Sequence, residues 1–331
     1  MRQLYPNCPA AVKGAAALLQ LRSTGWYNSP MMIKDLILSM RPKQWVKNVF
    51  IFAPMIFAEA EKSTRLSLHM FQPAVIRNSL LAFALFSLIT GAIYIFNDIL
   101  DREKDRRHPE KKSRPIAAGR LSPLQAGIFA AFLLAAVLAL TAFVNREFFF
   151  ISAFYALLNV LYSLFLKSIV IIDIMVIALG FVLRVMVGAA VNQLVLYPWI
   201  LISTFLLAIF LALIKRRQEL IKMQGSNPER VTRKTLLIYN VNLLDQMISI
   251  STATTLIAYI MYVLSPDVQQ KFHSAKLFYT VPFVIFGIFR YLFLSYAQGE
   301  GESPSEIIYT DLPFTLNLVC WLLAFILLVN H

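Results

Sequence analysis

The sequence predicts an all-α polytopic membrane bundle of about nine transmembrane helices, and three observations predict it. Of the 331 residues, 58% are hydrophobic and only 15% charged, with a mean hydropathy of +0.65, a balance too apolar for a water-soluble chain of this size. The apolar residues gather in runs of roughly 20, the length that crosses a hydrocarbon core of about 30 Å as helix. Those runs lack the period-two alternation of a membrane barrel.

The spans fall at roughly 46–60, 75–96, 123–144, 148–166, 169–190, 197–214, 236–264, 277–296 and 313–330. The first follows Arg41-Pro42-Lys43-Gln44-Trp45-Val46-Lys47-Asn48, where α-helical spacing puts Lys43 and Lys47 on one face and Trp45 at the interface. Residues 1–31 read as a poorly ordered N-terminal extension ahead of a single domain, 32–331. Within the extension, Ala10 to Leu21 is mildly apolar but interrupted by Lys13 and lacks a convincing cleavage site, so it is not read as a signal peptide. Met31 or Met32 is a candidate true start. No internal repeat is visible.

Net charge is +13, which in a soluble protein would suggest nucleic acid. Here 18 of the 31 basic residues sit in three stretches: before the first span, between the second and third, and between the sixth and seventh. That parity places the N-terminus in the cytoplasm and, with nine spans, the C-terminus outside, and nucleic acid is set aside. Cys8 and Cys320 lie far apart, and His69, His108, His273 and His331 show no metal-ligand spacing, so neither a disulfide framework nor a zinc site is indicated.

Three constellations carry chemistry. Asn97-Asp98-Ile99-Leu100-Asp101-Arg102-Glu103-Lys104-Asp105 leaves the second span, and its spacings of three and four place Asp98, Asp101 and Asp105 on one face of a continuing helix. Magnesium favours one or two carboxylates plus phosphate oxygens and water, so this ledge suits a metal bound with a phosphorylated ligand. The competing reading is a solvated helix end with its acids paired to Arg102, Lys104 and Arg106. The same loop continues with Lys111 and Arg114, cations able to meet phosphate directly. Next, Tyr162 and Lys167 end the fourth span, and Asp173, Gly180, Arg184 and Gly188 form a stripe on the fifth. Arg184 lies about three turns deep and must line a polar cavity or pair internally. Finally, Lys215-Arg216-Arg217-Gln218-Glu219 ends the sixth span as a solvated face or a phosphate-binding run.

The pattern Asn97-Asp98-x-x-Asp101-x-x-x-Asp105 resembles the first aspartate motif of the UbiA superfamily of intramembrane prenyltransferases, from Ile33 to the C-terminus. Aromatic-substrate members carry a second aspartate-rich motif after the sixth span; here Lys215 to Lys234 contains no aspartate. The decaprenyl-phosphate phosphoribosyltransferase branch is similar at Arg41 to Asn48, at His108-Pro-x-Lys-x-x-Arg114-Pro-Ile-Ala-Ala-Gly119, at Tyr162 to Lys167 with Asp173 and Arg184, and at Ser303-Pro304-Ser305-Glu306 with Asp311.

The resemblance implies magnesium-dependent transfer of 5-phosphoribose from phosphoribosyl diphosphate to a polyprenyl phosphate at the cytoplasmic side of a bacterial-type inner membrane, releasing pyrophosphate for cell-envelope glycolipid synthesis. It implies Asp98, Asp101 and Asp105 as metal ligands, and Asp98, Asp101 and Asp173 as catalytic carboxylates. Lys43, Lys47, Asn97, Lys111, Arg114, Tyr162, Lys167, Arg184, Lys215 and Arg216 are the substrate-binding set. Homo-oligomerisation is left open. The alternatives are prenyl transfer from a prenyl diphosphate to an aromatic or other acceptor and, in another class, transport of an anionic solute. Intramembrane charges also mark transport paths, but these concentrate at one face, without paired interrupted helices.

Overall fold

The computed structural model describes residues 29–57, 59–60, 72–224, 234–272, 274–297, 307 and 310–330. The extension up to residue 28, Arg230 and Arg233 of the basic loop, and the Ser303 to Glu306 motif lie outside the described residues. The chain begins with α1 (Ser29–Ser39), a 3-10 helix (Pro42–Phe52), α2 (Ala53–Phe57) and β1 (Glu59–Ala60). It continues through α3 (Pro73–Leu100), α4 (Arg102–Arg107), α5 (Pro123–Val144), α6 (Arg146–Leu164), α7 (Ile172–Asn192), β2 (Leu194–Val195) and α8 (Pro198–Gln224). Then come α9 (Val241–Leu264), α10 (Pro266–Phe272), α11 (Val281–Ala297) and α12 (Leu312–Asn330). Among the described residues, eight helices are long and apolar enough to cross a membrane: α3, α5, α6, α7, α8, α9, α11 with its leading 3-10 turn, and α12. β1 and β2 add one short antiparallel pairing, Glu59 opposite Val195.

Proline and asparagine set several helix starts. Pro73 and Pro123 stand in the first turns of α3 and α5, where a missing N–H removes no helical bond. The Asn145 side chain accepts from the amides of Glu147 (2.7 Å) and Phe148 (3.2 Å), and that of Asn240 from Leu243 (2.7 Å), satisfying amides that the first turn leaves without partners.

The segment expected to be the first span is a 3-10 helix followed by α2, and it is not among the eight helices long and apolar enough to cross a membrane. Its 11-residue 3-10 helix and 5-residue α2 cover roughly 30 Å, because a 3-10 helix rises about 2.0 Å per residue. Three residues per turn align Trp45, Asn48 and Ile51, and the last two are buried. Lys43 and Lys47, four apart, therefore point about 120° away from each other and do not share the face that α-helical spacing assigns them. Gly188 of α7 lets this helix approach: a Cβ there would lie 1.9 Å from the Ile51 carbonyl oxygen.

The most deeply buried spans are α3 and α7, while α12 is the least buried, with Phe325 its one fully buried side chain among the described residues. In lipid, helices pack closely through small residues. Ser79, Ala82, Ser87 and Ala92 of α3, with Ala178, Gly180, Gly188, Ala189 and Ala190 of α7, are buried, whereas Leu124, Phe132 and Phe143 of α5 are exposed. Asp98 near the end of α3 and Asp173 near the start of α7 therefore ride on the two central helices.

Candidate functional site

The acidic motif is carried past the end of α3 by a bend rather than a straight helix. Asp101 leaves helical geometry (φ −94°, ψ 7°), although its amide still bonds Asn97 (2.9 Å) and its carbonyl accepts from Asp105 (2.8 Å). The bend divides the three carboxylates. Asp98 and Asp105, both buried, share one cation: Arg114 Nη1 lies 3.3 Å from Asp98 Oδ1 and 2.5 Å from Asp105 Oδ2. Arg41 also pairs with Asp98. Asp101 is held instead by Lys167, whose Nζ donates to its two oxygens at 2.9 and 3.1 Å, and by Lys104 at 3.5 Å. Burial alone would raise the Asp101 carboxyl, but hydrogen bonds and charge from Lys167, then Lys104, hold it below its ordinary value.

Two expectations change here. The acids pair mainly with Arg41, Arg114 and Lys167 from elsewhere in the chain, while Arg106 turns to Glu103 at 3.1 Å. Nor do Asp98, Asp101 and Asp105 form a single metal-holding group: among the described residues, no set of three or more His, Cys, Asp or Glu side chains does so. The Asp98–Asp105 pair nonetheless fits magnesium. Its hard oxygens already embrace one cationic group, and magnesium needs only one or two carboxylates when phosphate oxygens and water complete its shell.

The loop after α4 folds over these acids. His108 Nδ1 accepts from the amides of Glu110 (3.2 Å) and Lys111 (3.3 Å), which brings half-buried Lys111 round, and Arg106 Nε donates to Ala117 O at 3.2 Å. Ile116 and Leu121 anchor the loop by full burial. Burial, then the Lys111 charge, holds the His108 imidazole below its usual value. Arg120 bonds Ser113 O at 3.1 Å and Asp35 at 3.2 Å, tying the loop to α1. Arg41, which the sequence reading did not assign to the site, sits at φ +53°, ψ +63°. This left-handed conformation is rarely adopted by a non-glycine residue, and it directs the guanidinium to Asp98 and over the Tyr94 ring at 5.1 Å.

A second cluster lies at the start of α7. Ile171, at φ +71° and ψ −48°, occupies a strained γ-turn region, with its amide bonded to the Tyr239 hydroxyl at 2.8 Å. That hydroxyl donates to Asp173 Oδ1 at 3.2 Å, and Arg216 Nε donates to Asp173 Oδ2 at 2.9 Å. Burial, with the Asp173 carboxylate adding to it, pushes the Tyr239 phenol up to about 12. Asp173 is 0% exposed, with one oxygen on Arg216 and the other on the Tyr239 hydroxyl. Arg216 also pairs with Glu219 at 2.7 Å and interacts electrostatically with half-buried Tyr162. Half-buried Lys215 lies next to it.

Arg184, expected to line a polar cavity or pair internally, is paired internally. Its nitrogens donate to Asn48 Oδ1 (2.8 Å), Gly180 O (2.7 Å) and the Tyr155 hydroxyl (2.9 Å), and its guanidinium lies among Phe86, Tyr155 and Phe181. It joins the 3-10 helix to α6 and α7. Asn97 accepts a hydrogen bond from the Ser163 hydroxyl, fastening α3 to α6 behind the acids. Lys43 is exposed and Lys47 half-buried. The sequence also gave no signal for Asp245, which accepts from Arg217 Nε (2.5 Å) and the Tyr296 hydroxyl (2.6 Å), joining α8, α9 and α11. Asp311 caps α12 through the Phe314 amide (2.8 Å) and pairs with Arg290 (2.7 Å).

The profile of the UbiA prenyltransferase family matches residues 66–306. The protein y4nM of Sinorhizobium fredii is 29% identical over 76% of this chain, which spans 47% of that protein. The decaprenyl-phosphate phosphoribosyltransferase of Corynebacterium glutamicum is 29% identical over 89% of this chain and 86% of its own length. Among solved structures, a UbiA homolog from Archaeoglobus fulgidus bound to DMAPP and Mg2+ superposes with a TM-score of 0.65, covering 89% of this chain and 98% of that one at 18% identity, a likeness of fold.

Proposed function

The chain belongs to the UbiA prenyltransferase family, and from that premise we propose that it transfers 5-phosphoribose from phosphoribosyl diphosphate to a polyprenyl phosphate, releasing pyrophosphate at the cytoplasmic face of the membrane. One observation carries the reading: Asp98, Asp101 and Asp105 stand interleaved with Arg41, Arg114 and Lys167, three cations from three other segments. Such alternating charge suits a ligand that brings both a divalent cation and many phosphate oxygens. The choice of sugar over prenyl donor is supported by the aspartate-free Lys215-Arg216-Arg217 run and by the name of the Corynebacterium relative. Prenyl transfer is the second reading, favoured by the DMAPP and Mg2+ of the Archaeoglobus neighbour.

Asp98 and Asp105 would hold magnesium, which when bound draws charge from the departing diphosphate, with the Asp101–Lys167 pair beside them. Arg41, Arg114 and Lys167 neutralise diphosphate oxygens, while Arg216, oriented by Asp173 and Glu219, supports the phosphate-binding wall. A lipid phosphate oxygen forms the new bond to the sugar's C1 as the bond from C1 to the diphosphate breaks. The acceptor is already an anion near neutral pH, so orientation and electrostatics suffice without a protein base. Purified protein given magnesium, phosphoribosyl diphosphate and a polyprenyl phosphate is expected to release pyrophosphate. Turnover only with a prenyl diphosphate and an aromatic acceptor would sink the proposal in favour of the second reading.

A further inference from the structure

We propose that Arg114 is a built-in occupant of the metal position, so that a divalent cation enters well only in company with a diphosphate that draws this guanidinium off the carboxylates. The inference rests on the reading of Asp98 and Asp105 as a metal-diphosphate site. The Arg114 guanidinium bridges Asp98 (3.3 Å) and Asp105 (2.5 Å), which leave 3% and 7% of their side chains exposed. Arg41 meets the same Asp98 oxygen, so two guanidiniums already balance two carboxylates. A bare divalent cation would enter a neutralised, largely buried cluster and crowd cations already in place, an unfavourable change where water screens little. A diphosphate entering with the cation restores the balance and gives Arg114 a new partner.

The side chain can make that exchange. It is 27% exposed, whereas the loop beneath it is fixed by buried Ile116 and Leu121, by Arg106 on Ala117 O, and by Arg120 on Ser113 O. The guanidinium fork pairs equally well with carboxylate or phosphate oxygens, so it can turn between them while its backbone stays in place. Metal and diphosphate binding are then linked reciprocally, each strengthening the other.

Mn2+ bound to the purified full chain, read by electron paramagnetic resonance after equilibrium dialysis with and without inorganic pyrophosphate, tests this. Pyrophosphate leaves in both transfer reactions, so the result does not depend on the donor. The wild-type chain is expected to hold Mn2+ about tenfold more tightly with pyrophosphate than without, and Arg114→Gln to bind bare Mn2+ about tenfold more tightly than wild type, with less added by pyrophosphate. Arg114→Lys, which keeps the charge but loses the planar bridge, is expected to shift the same way and carries the test if the glutamine variant does not fold. Bare Mn2+ binding no tighter in the folded variant than in wild type overturns the inference while leaving the ledge reading intact. Failure of the wild type to retain Mn2+ even with pyrophosphate overturns the ledge reading and the inference with it.

Discussion

Arg216 Nε and Asp173 Oδ2 meet at 2.9 Å, and the two side chains leave only 2% and 0% of their surfaces to solvent. Removing one partner of such a pair leaves a buried charge uncompensated, at a cost of about 3–5 kcal/mol. Asp173→Asn is therefore expected to lower the denaturation midpoint in detergent clearly. Asp173→Leu with Arg216→Met is expected to cost less than the single change, because the fully buried charge goes with its partner and Glu219, 19% exposed, can turn to water. Equal or additive losses would show that the pair does not act as a unit.

Asp98→Asn and Asp101→Asn each remove a charge from the ledge while keeping side-chain size. Turnover is expected to fall by about a hundredfold or more, as when one preorganised electrostatic partner is lost from an active site. The folded fraction, followed by size-exclusion profile and circular dichroism, is expected to persist. Full activity in both variants would remove the ledge from the reaction.

Arg184→Gln is expected to act on stability. The change strands the Tyr155 hydroxyl and Asn48 Oδ1 in the core and forfeits the packing of the guanidinium among three rings, a loss of about 3 kcal/mol. Activity per folded molecule and KM for the donor are expected to stay near wild type. A large rise in KM at unchanged stability would return Arg184 to the substrate.

Acid is expected to loosen the loop over the ledge before it touches the bundle. His108 must keep Nδ1 unprotonated to accept from the Glu110 and Lys111 amides, and its folded-state pKa lies below the ordinary 6.5. Its stabilising contribution is therefore complete above pH 6.5 and is lost as pH falls through the depressed value. Hydrogen exchange at those two amides, corrected for intrinsic rate, should accelerate over that interval. The same interval should leave His108→Asn unaffected.

Gly188→Ala and Gly127→Ala make a matched pair. At Gly188 a Cβ would stand 1.9 Å from a backbone oxygen of the 3-10 helix, so the two helices must separate. At Gly127 the nearest foreign atom is the Ile99 methyl at 3.7 Å, an ordinary contact. The first variant is expected to lose several kcal/mol, about 3 or more, and the second to stay within about 0.5 kcal/mol of wild type, as judged by thermal unfolding in detergent.

Composition and the length of the apolar runs were enough to determine a helical membrane bundle, because lipid admits few ways of satisfying a backbone and run length reads its thickness directly. The spacing of Asp98, Asp101 and Asp105 likewise showed where charge collects, since helix periodicity is local. What local periodicity does not contain is the partner of each charge. Arg41 reaches Asp98 across 57 positions of sequence and Lys167 reaches Asp101 across 66, pairings set by how α3 packs against the 3-10 helix and α6. The same packing ties Arg184 to Asn48 and Tyr155 and sets Asp173 against Arg216. Apolar runs look alike whether they face lipid or protein, so only the tertiary structure decides which charge they bury and which they leave facing a ligand.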